Sequence, residues 1–273
     1  MKRAALPASI RRIARRFSGT LGLSARELAT GREITLNADE VFPTASMAKI
    51  PILLELYRQH QSQGLSLAKM VTVRKPVKVG GSGVIVYMDE VRLSLHDLAV
   101  LMMTVSDNTA TNVLMQGLGI ANINRMMQDA GLTNTRLHRK IRMKLPDKPK
   151  HPFFATGTPR DYMRLMAALY AGDLLDNRNT KAVIGLMRVQ SYMGTLCRYL
   201  DFDPAGHPNE WVASKNGYSS GIRTEAGIVH TKRGTYAICV MGKDIQDKSW
   251  TLDNEGTLAI ASVSQAVHDT FYR

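Results

Sequence analysis

Cysteine is almost missing from this chain. Two occur in 273 residues, Cys197 and Cys239. That excludes a disulfide framework and a cysteine-rich zinc module, and leaves at most one disulfide. No stretch reaches the roughly 18 consecutive apolar residues of a membrane span. The seven histidines show no metal-ligand spacing. Aromatic residues are scarce, at 6%, and are not interleaved with the basic runs. With no known nucleic-acid module present, that pattern argues against a nucleic-acid surface. Neither an internal repeat nor a low-complexity linker occurs. What remains, 44% hydrophobic and 22% charged residues, is ordinary globular composition. The length allows one large domain or two packed ones.

Acidic residues are outnumbered 23 to 36, giving a formal charge of +13. Such an excess predicts attraction to anionic partners without saying which. Much of it lies in two runs. Residues 2–16 hold Lys2, Arg3, Arg11, Arg12, Arg15 and Arg16; residues 136–150 hold Arg136, Arg139, Lys140, Arg142, Lys144, Lys148 and Lys150 against Asp147 alone. A solvated face is the plain alternative for either run. The basic start lacks the apolar core of a signal peptide, because Arg11, Arg12, Arg15 and Arg16 interrupt it. It reads as an amphipathic helix after Pro7. Either a cytoplasmic protein or one shorn of its signal is expected.

Periodicity divides the chain. Residues 19–30 alternate as a strand, and 34–36 begin a return strand. From 46 to 63 the period is helical, with Pro51 removing one backbone donor. Ser94-Leu95-His96-Asp97 has capping-box form before an apolar run. Helices are expected over 109–116 and 122–130. Thr158-Pro159-Arg160-Asp161 is a strong start signal for another, ending at Gly172. Two more are expected at 180–189 and 193–200. Strands return at 211–215, 221–231 and 234–241, the last two as a hairpin, and 255–272 closes as a helix. The expected fold is α/β (α+β): an antiparallel sheet built from both termini and flanked by terminal helices. Residues 1–45 with 205–273 would form the sheet domain, and 46–204 an inserted all-helical domain. A site is expected at the seam.

Three local patterns could carry chemistry. Ser46-Met47-Ala48-Lys49 puts a hydroxyl and an amine on one helix face near the positive end of the helix dipole. A lysine can act as base for its neighbour if burial or a second cation lowers its pKa. Ser66-Leu67-Ala68-Lys69 has the same spacing, so this signal alone is weak. Ser106-Asp107-Asn108 joins two apolar helices; it is either a second hydroxyl and amide aimed into a cleft or a helix cap at Asp107 or Asn108. Lys215-Asn216-Gly217 ends an apparent strand, offering a cation and a close backbone approach. Gly217-Tyr218-Ser219-Ser220-Gly221 fits a nucleophile elbow by letter, but a strand rather than a helix follows it.

In this order the three patterns are specific. Ser46 and Ser106 are 60 residues apart, and Lys215 lies 109 further on. S-x-x-K, then S-D-N, then K-x-G is the set of class A β-lactamases and penicillin-binding proteins. The chain resembles a class A β-lactamase or close relative. Phe42-Pro43-Thr44-Ala45-Ser46 resembles that family's entry to the nucleophile, and Val105-Ser106-Asp107-Asn108-Thr109-Ala110 its second motif. Element order is similar over roughly residues 7–271.

The resemblance implies roles. Ser46 would be acylated, Lys49 would be its base, and Ser106 would pass a proton to the leaving nitrogen. Asn108 would bind the substrate amide, and Lys215 would hold Ser106 and the substrate carboxylate. Backbone N–H groups of Ser46 and Tyr218 would form the oxyanion hole. It also implies no cofactor and no metal, a monomer, and a periplasmic or secreted location. The partner would be a small β-lactam or a peptidoglycan-like anionic substrate, not nucleic acid.

Two departures from the family matter. Asn216 stands where Thr or Ser is usual; it can still donate to a carboxylate, and Arg223 on the next strand could add an anion contact. No Glu occurs between Glu90 and Glu210, so the loop glutamate that activates the deacylating water is missing. Ile141 or Arg142 occupies its expected place. Asp147, His138 or His151 are the available substitutes, with Asp147 a weak base among cations. Losing a general base costs about 10²–10⁴ in rate. The expectation is therefore a serine hydrolase that acylates but deacylates slowly. A D-Ala-D-Ala peptidase, an esterase or amidase, and an acylated sensor remain alternatives.

Overall fold

The computed structural model describes residues 5–144, 150–203 and 209–272. At its centre is a five-stranded antiparallel sheet, ordered β2-β1-β10-β9-β8. β1 (Thr20–Glu27) and β2 (Glu33–Leu36) come from early in the chain; β8 (Trp211–Ser219), β9 (Ile222–Thr231) and β10 (Gly234–Lys243) come from late in it. The middle strand β10 is buried on both faces, which is why Tyr236 to Met241 reads as an unbroken apolar run. Alternation sorts its side chains. Tyr236, Ile238 and Val240 join a core with α1 (Ala8–Arg16) and α8 (Glu255–Tyr272). Ala237, Cys239 and Met241 face the helical block. The terminal helices run antiparallel: Ser18, just after α1, donates its N–H to the carboxylate of Glu255, at the start of α8, at 2.7 Å.

The helical block holds α2 (Lys49–Gln63), α3 (Leu95–Thr104), α4 (Asn108–Leu118), α5 (Ile120–Asp129), α6 (Pro159–Ala171) and α7 (Asn177–Arg188). Local chemistry sets most of their starts. Ser94 and Asp97 form the capping box of α3. Asp107 caps α4 by accepting from Ala110 N–H. Thr158 caps α6 ahead of Pro159, and Asp176 caps α7. Each such cap is worth about 0.5–2 kcal/mol. Short strands complete the frame: β3 (Phe42–Pro43), β7 (Ala155–Gly157) and β6 (Arg136–Leu137) form one small sheet, and β4 (Met70–Val73) with β5 (Val91–Ser94) another. No helix among the described residues is long and apolar enough to cross a membrane.

Several expectations need correction. The helix expected from residue 46 begins as a 3-10 turn, Ala45–Ala48, and becomes α-helical at Lys49. Pro51 thus lies in the first α-turn, where a backbone donor has no intrahelical partner to lose. The strand expected to end at Lys215 continues to Ser219, because Asn216, Gly217 and Tyr218 pair with Glu225, Thr224 and Arg223. Ser219 therefore ends a strand and is no elbow. No helix forms at 193–200; turns bonded Thr195 to Arg198 and Cys197 to Leu200 stand there instead. Cys197 and Cys239 are both free and buried, in the two different cores, so no disulfide joins them. Asp147 and Lys148, like Lys2 and Arg3, lie outside the described residues.

Candidate active site

Ser46 sits in the 3-10 turn at the head of α2 and is half-buried. Lys49, three residues on, is the first residue of α2 and follows the turn directly. The turn is entered through Ala45 at φ 45°, a left-handed conformation an alanine adopts only when its surroundings impose it. Those surroundings are β7 and β8. Thr44 N–H donates to the Ala155 carbonyl at 3.1 Å. On the other side, β8 is an edge strand, so it presents unpaired backbone groups away from the sheet. Gly217 makes the approach feasible: a Cβ there would lie 2.5 Å from the Thr44 carbonyl oxygen and 2.8 Å from Met47 N.

Lys49 is fully buried. Its ammonium donates to Ser106 O at 2.6 Å, Ser106 Oγ at 2.9 Å and Asn108 Oδ1 at 3.0 Å. Burial pushes its pKa well below the ordinary lysine value; the nearby Lys215 pushes it further, against an upward pull from Asp107. A lysine so placed can lose its proton and serve as a base.

The connector from α3 to α4 has to present Ser106 and Asn108 together. Ser106 adopts φ 57°. Asp107 accepts from Ala110 N at 2.9 Å and, through its other oxygen, from Val84 N at 2.7 Å and Ile85 N at 2.9 Å. It thereby caps α4 and fastens the 79–85 loop to it. That contact is close: a Cβ on Gly83, at φ 94°, would fall 2.2 Å from the Asp107 carboxylate. Asn108 spends Nδ2 on the Gly80 carbonyl at 2.9 Å and its N–H on the Ser82 carbonyl at 3.1 Å. The capping and cleft readings of this triplet therefore coexist: Asp107 caps, while Ser106 and Asn108 face Lys49.

Lys215 is also fully buried. Burial brings its pKa down to about 7, with Glu225 pulling upward. Its ammonium donates to Asn216 Oδ1 at 2.7 Å and Asn216 O at 3.1 Å. Ser106 is thus hydrogen-bonded by Lys49, whereas the described partner of Lys215 is Asn216. The Asn at this position turns its oxygen to the lysine. Arg223 is buried on the neighbouring strand, stacked between Tyr218 and Trp250 at 5.0 and 5.3 Å. Its Nη1 bonds the carbonyls of Ser219 and Ile222, each at 2.8 Å, and Nη2 that of Ser249 at 2.5 Å. These contacts tie the β8–β9 turn to the segment before α8 and leave no described bond toward Ser46.

One further residue was not legible at first sight. Asn112 lies one turn beyond Asn108 on α4. It accepts from Ile141 N and donates to Ile141 O, both at 2.9 Å. The basic loop is thereby clamped to the helix that carries Asn108, with an apolar side chain at the clamp. Helical spacing from Asn108 was the available signal. His138 bonds Thr156 Oγ1 at 2.8 Å and stacks on His151, centroids 4.3 Å apart. Its pKa is lowered by burial and by His151 and Arg136. The contacts described for the two histidines lead to β7 and to each other, not to Ser46, Lys49, Ser106 or Lys215.

A serine one 3-10 turn from a buried lysine, with a second serine bonded to that lysine and another lysine on a sheet edge, is an arrangement suited to a serine hydrolase of the β-lactamase fold. A family model described as "Beta-lactamase enzyme family" matches residues 5–271, and the chain belongs to that family. It is 26% identical to a Rhodobacter capsulatus β-lactamase over 265 residues, covering 96% of this chain and 87% of that one. The solved β-lactamase of Sphaerobacter thermophilus superposes with a TM-score of 0.87 at 26% identity, covering 96% and 95%. A PBP-A mutant, solved as an acyl-enzyme complex with penicillin G, gives 0.82 at 28% identity, covering 96% and 94%.

Proposed function

We propose that this enzyme forms an acyl-enzyme at Ser46 with β-lactams or related anionic amides and esters, and that it releases the acyl group slowly. The observation that carries the reading is the buried Lys49, bonded to Ser106 and Asn108 one 3-10 turn from Ser46. Neutral Lys49 takes the Ser46 proton as Oγ attacks the carbonyl carbon. The carbonyl oxygen, now negative, lies between the N–H groups of Ser46 and Tyr218, a term usually large in acyl transfer. The C–N bond then breaks as Ser106 gives its hydroxyl proton to the leaving nitrogen, and the Lys49 ammonium, bonded to Ser106 Oγ at 2.9 Å, returns a proton to Ser106 and is neutral again. Lys215 as ammonium attracts the substrate carboxylate, assisted by the Asn216 amide. Asn108, fixed between Lys49 and Gly80, keeps one N–H for the substrate amide.

Deacylation needs a base for water. The clamped residue Ile141 offers none, and the pairing of His138 with Thr156 and His151 turns both imidazoles elsewhere. Among the described residues the loop thus places no base for that water, and slow release follows from the loop's chemistry rather than from the nucleophile's. The likeness to PBP-A, whose mutant holds penicillin G covalently, supports a second reading of the same site as a penicillin-binding peptidase. In either case the substrate is an anionic cell-wall peptide or its mimic, which suits a periplasmic or secreted monomer. We take the described parts of residues 1–45 with 205–273, and of residues 46–204, as the two walls of the cleft.

Steady-state penicillin hydrolysis tests the proposal. A burst of about one equivalent, followed by slow turnover and abolished in Ser46→Ala, is expected. Sustained fast turnover without a burst would refute slow release, and an unchanged rate in Ser46→Ala would refute the nucleophile.

A further inference from the structure

The face of β8 and β9 turned away from Lys215 buries a second charge. Glu225 is fully buried and sits opposite Asn216 in the strand register. Its carboxylate accepts from Ser214 Oγ at 2.7 Å, Gln190 Nε2 at 2.9 Å, Leu196 N at 3.0 Å and Thr195 Oγ1. Among the described residues it has no ion-pair partner. Burying a carboxylate is costly unless donors surround it, so an acid kept here needs a reason beyond packing.

Three of the four donors belong to one segment, residues 190–196, between α7 and β8. Both ends of that segment hang on the same carboxylate. At one end Ser191 N–H also donates to the Thr104 carbonyl, at the end of α3, at 3.0 Å. At the other, the Leu196 carbonyl accepts from Ser264 of α8 at 2.8 Å. The segment therefore wraps round the open edge of β8, from the helical block to the α8 face. Tyr192 is at its middle. The Tyr192 ring lies 5.8 Å from Lys215 Nζ and meets the Tyr218 ring at 6.5 Å and 63°. It is 39% exposed. A large aromatic is thus fixed beside Lys215 and Tyr218, on the strand that packs against the turn carrying Ser46.

We propose that Tyr192 is a substrate-contacting, specificity-determining wall of the Ser46 site, and that Glu225 is the positioning residue that holds it there. This rests on the acyl-transfer reading of that site. The ring faces the group next to the carboxylate that Lys215 attracts. It favours acyl donors with an apolar or planar body there, such as the fused sulfur ring of a penicillin. A linear peptide ending in a methyl-bearing carboxylate offers it less surface. The ring also stabilises the ammonium form of Lys215 through its face.

The test measures second-order acylation of the intact enzyme by penicillin G across pH 5–9. It compares the native chain with Tyr192→Phe, Tyr192→Ala, Glu225→Gln and the Tyr192→Ala/Glu225→Gln double variant. A loss of roughly tenfold is expected in Tyr192→Ala, and less than about threefold in Tyr192→Phe, which keeps the ring. Glu225→Gln should match Tyr192→Ala, and the double variant should lose no more than either, the mark of one shared route. Hydrogen exchange should quicken over residues 190–196 in Glu225→Gln. If that variant does not fold, Thr195→Val, which removes one donor, takes its place.

Unchanged acylation in Tyr192→Ala overturns the wall. Additive losses overturn the positioning role, especially if the alkaline limb moves to lower pH in Glu225→Gln alone. That limb reflects Lys215, whose charged neighbours are Lys49 from α2 and Glu225 from β9. If the native enzyme is never acylated at Ser46, the underlying reading fails and this inference falls with it. Acylation of the native chain with an indifferent Tyr192 removes this inference alone.

Discussion

Replacing Asn108 by aspartate separates the base from the scaffold. The two side chains have the same shape. The Asn108→Asp variant would keep an oxygen about where Asn108 Oδ1 now accepts from Lys49 at 3.0 Å. It would put a full negative charge there, inside a site where both lysines are buried. An opposite charge at such range raises a lysine pKa by about 1–3 units. Each unit is about 1.36 kcal/mol and a tenfold loss of neutral Lys49 below that pKa. Acylation at pH 7 should therefore fall about 10–1000-fold, and the ratio of variant to native rate at each pH should recover about tenfold per pH unit as the medium becomes alkaline. The donor to Gly80 O at 2.9 Å is lost as well. Leaving that acceptor unpaired costs about 1–3 kcal/mol, partly offset by the new ion pair. The assay is the rate of penicillin acylation between pH 5 and 10, with thermal melting alongside. A near-native rate with an unchanged pH profile in a folded Asn108→Asp would show that Lys49 does not act as the base.

Other outcomes follow from the same geometry. Lys215, brought down to about 7 by burial, loses its charge above that pH, so acylation per unit concentration of a carboxylate substrate should decline on the alkaline side with a midpoint near 7. Lys215→Arg, which stays charged, should remove that decline in the same pH series. The sign for stability is the reverse: the folded chain gives up this proton more readily than the unfolded one, so stability rises with pH between about 7 and the unfolded lysine value of about 10.4. Urea titrations at pH 7 and 9 would show it. Ile141→Glu places a carboxylate on the residue clamped by Asn112, and should speed loss of the acyl group by about 10²–10⁴-fold, read as turnover of penicillin. Gly217→Ala drives a methyl toward the Thr44 carbonyl and Met47 N; it should cost about 1–3 kcal/mol of stability and slow acylation, since the edge strand must retreat from the Ser46 turn.

What could be read from the residues was what local chemistry decides. Ser94-x-x-Asp97 and Thr158-Pro159-x-Asp161 are caps whose partners lie three residues away, and both helices start there. The apolar run of β10 and the closing helix 255–272 follow from burial alone. Ser46, Lys49, Ser106 and Lys215 could be singled out because their spacing is itself the signal, and the structure brings Lys49 to Ser106. What failed depended on partners distant in sequence. Ala45 is twisted by β7 and β8, so the 3-10 turn under Ser46 was invisible. Residues 193–200 have helical periodicity but are pulled into a strap by Glu225, 29 residues beyond Leu196. Two- and three-residue strands such as β6 and β7 carry no period at all. The bond from Lys215 to Asn216 depends on a side-chain orientation that spacing does not encode. Glu225 did leave a trace, as an acid within the otherwise uncharged and buried run 224–229.

The most direct test of the account is intact-protein mass spectrometry after mixing with penicillin G, followed over time and again after removal of free drug, with Ser46→Ala in parallel. The account predicts one covalent adduct per chain, absent in Ser46→Ala, that decays slowly once the drug is gone. Rapid disappearance of penicillin with no adduct accumulating would contradict it, and would mean that a base activates water at this site despite the missing loop glutamate.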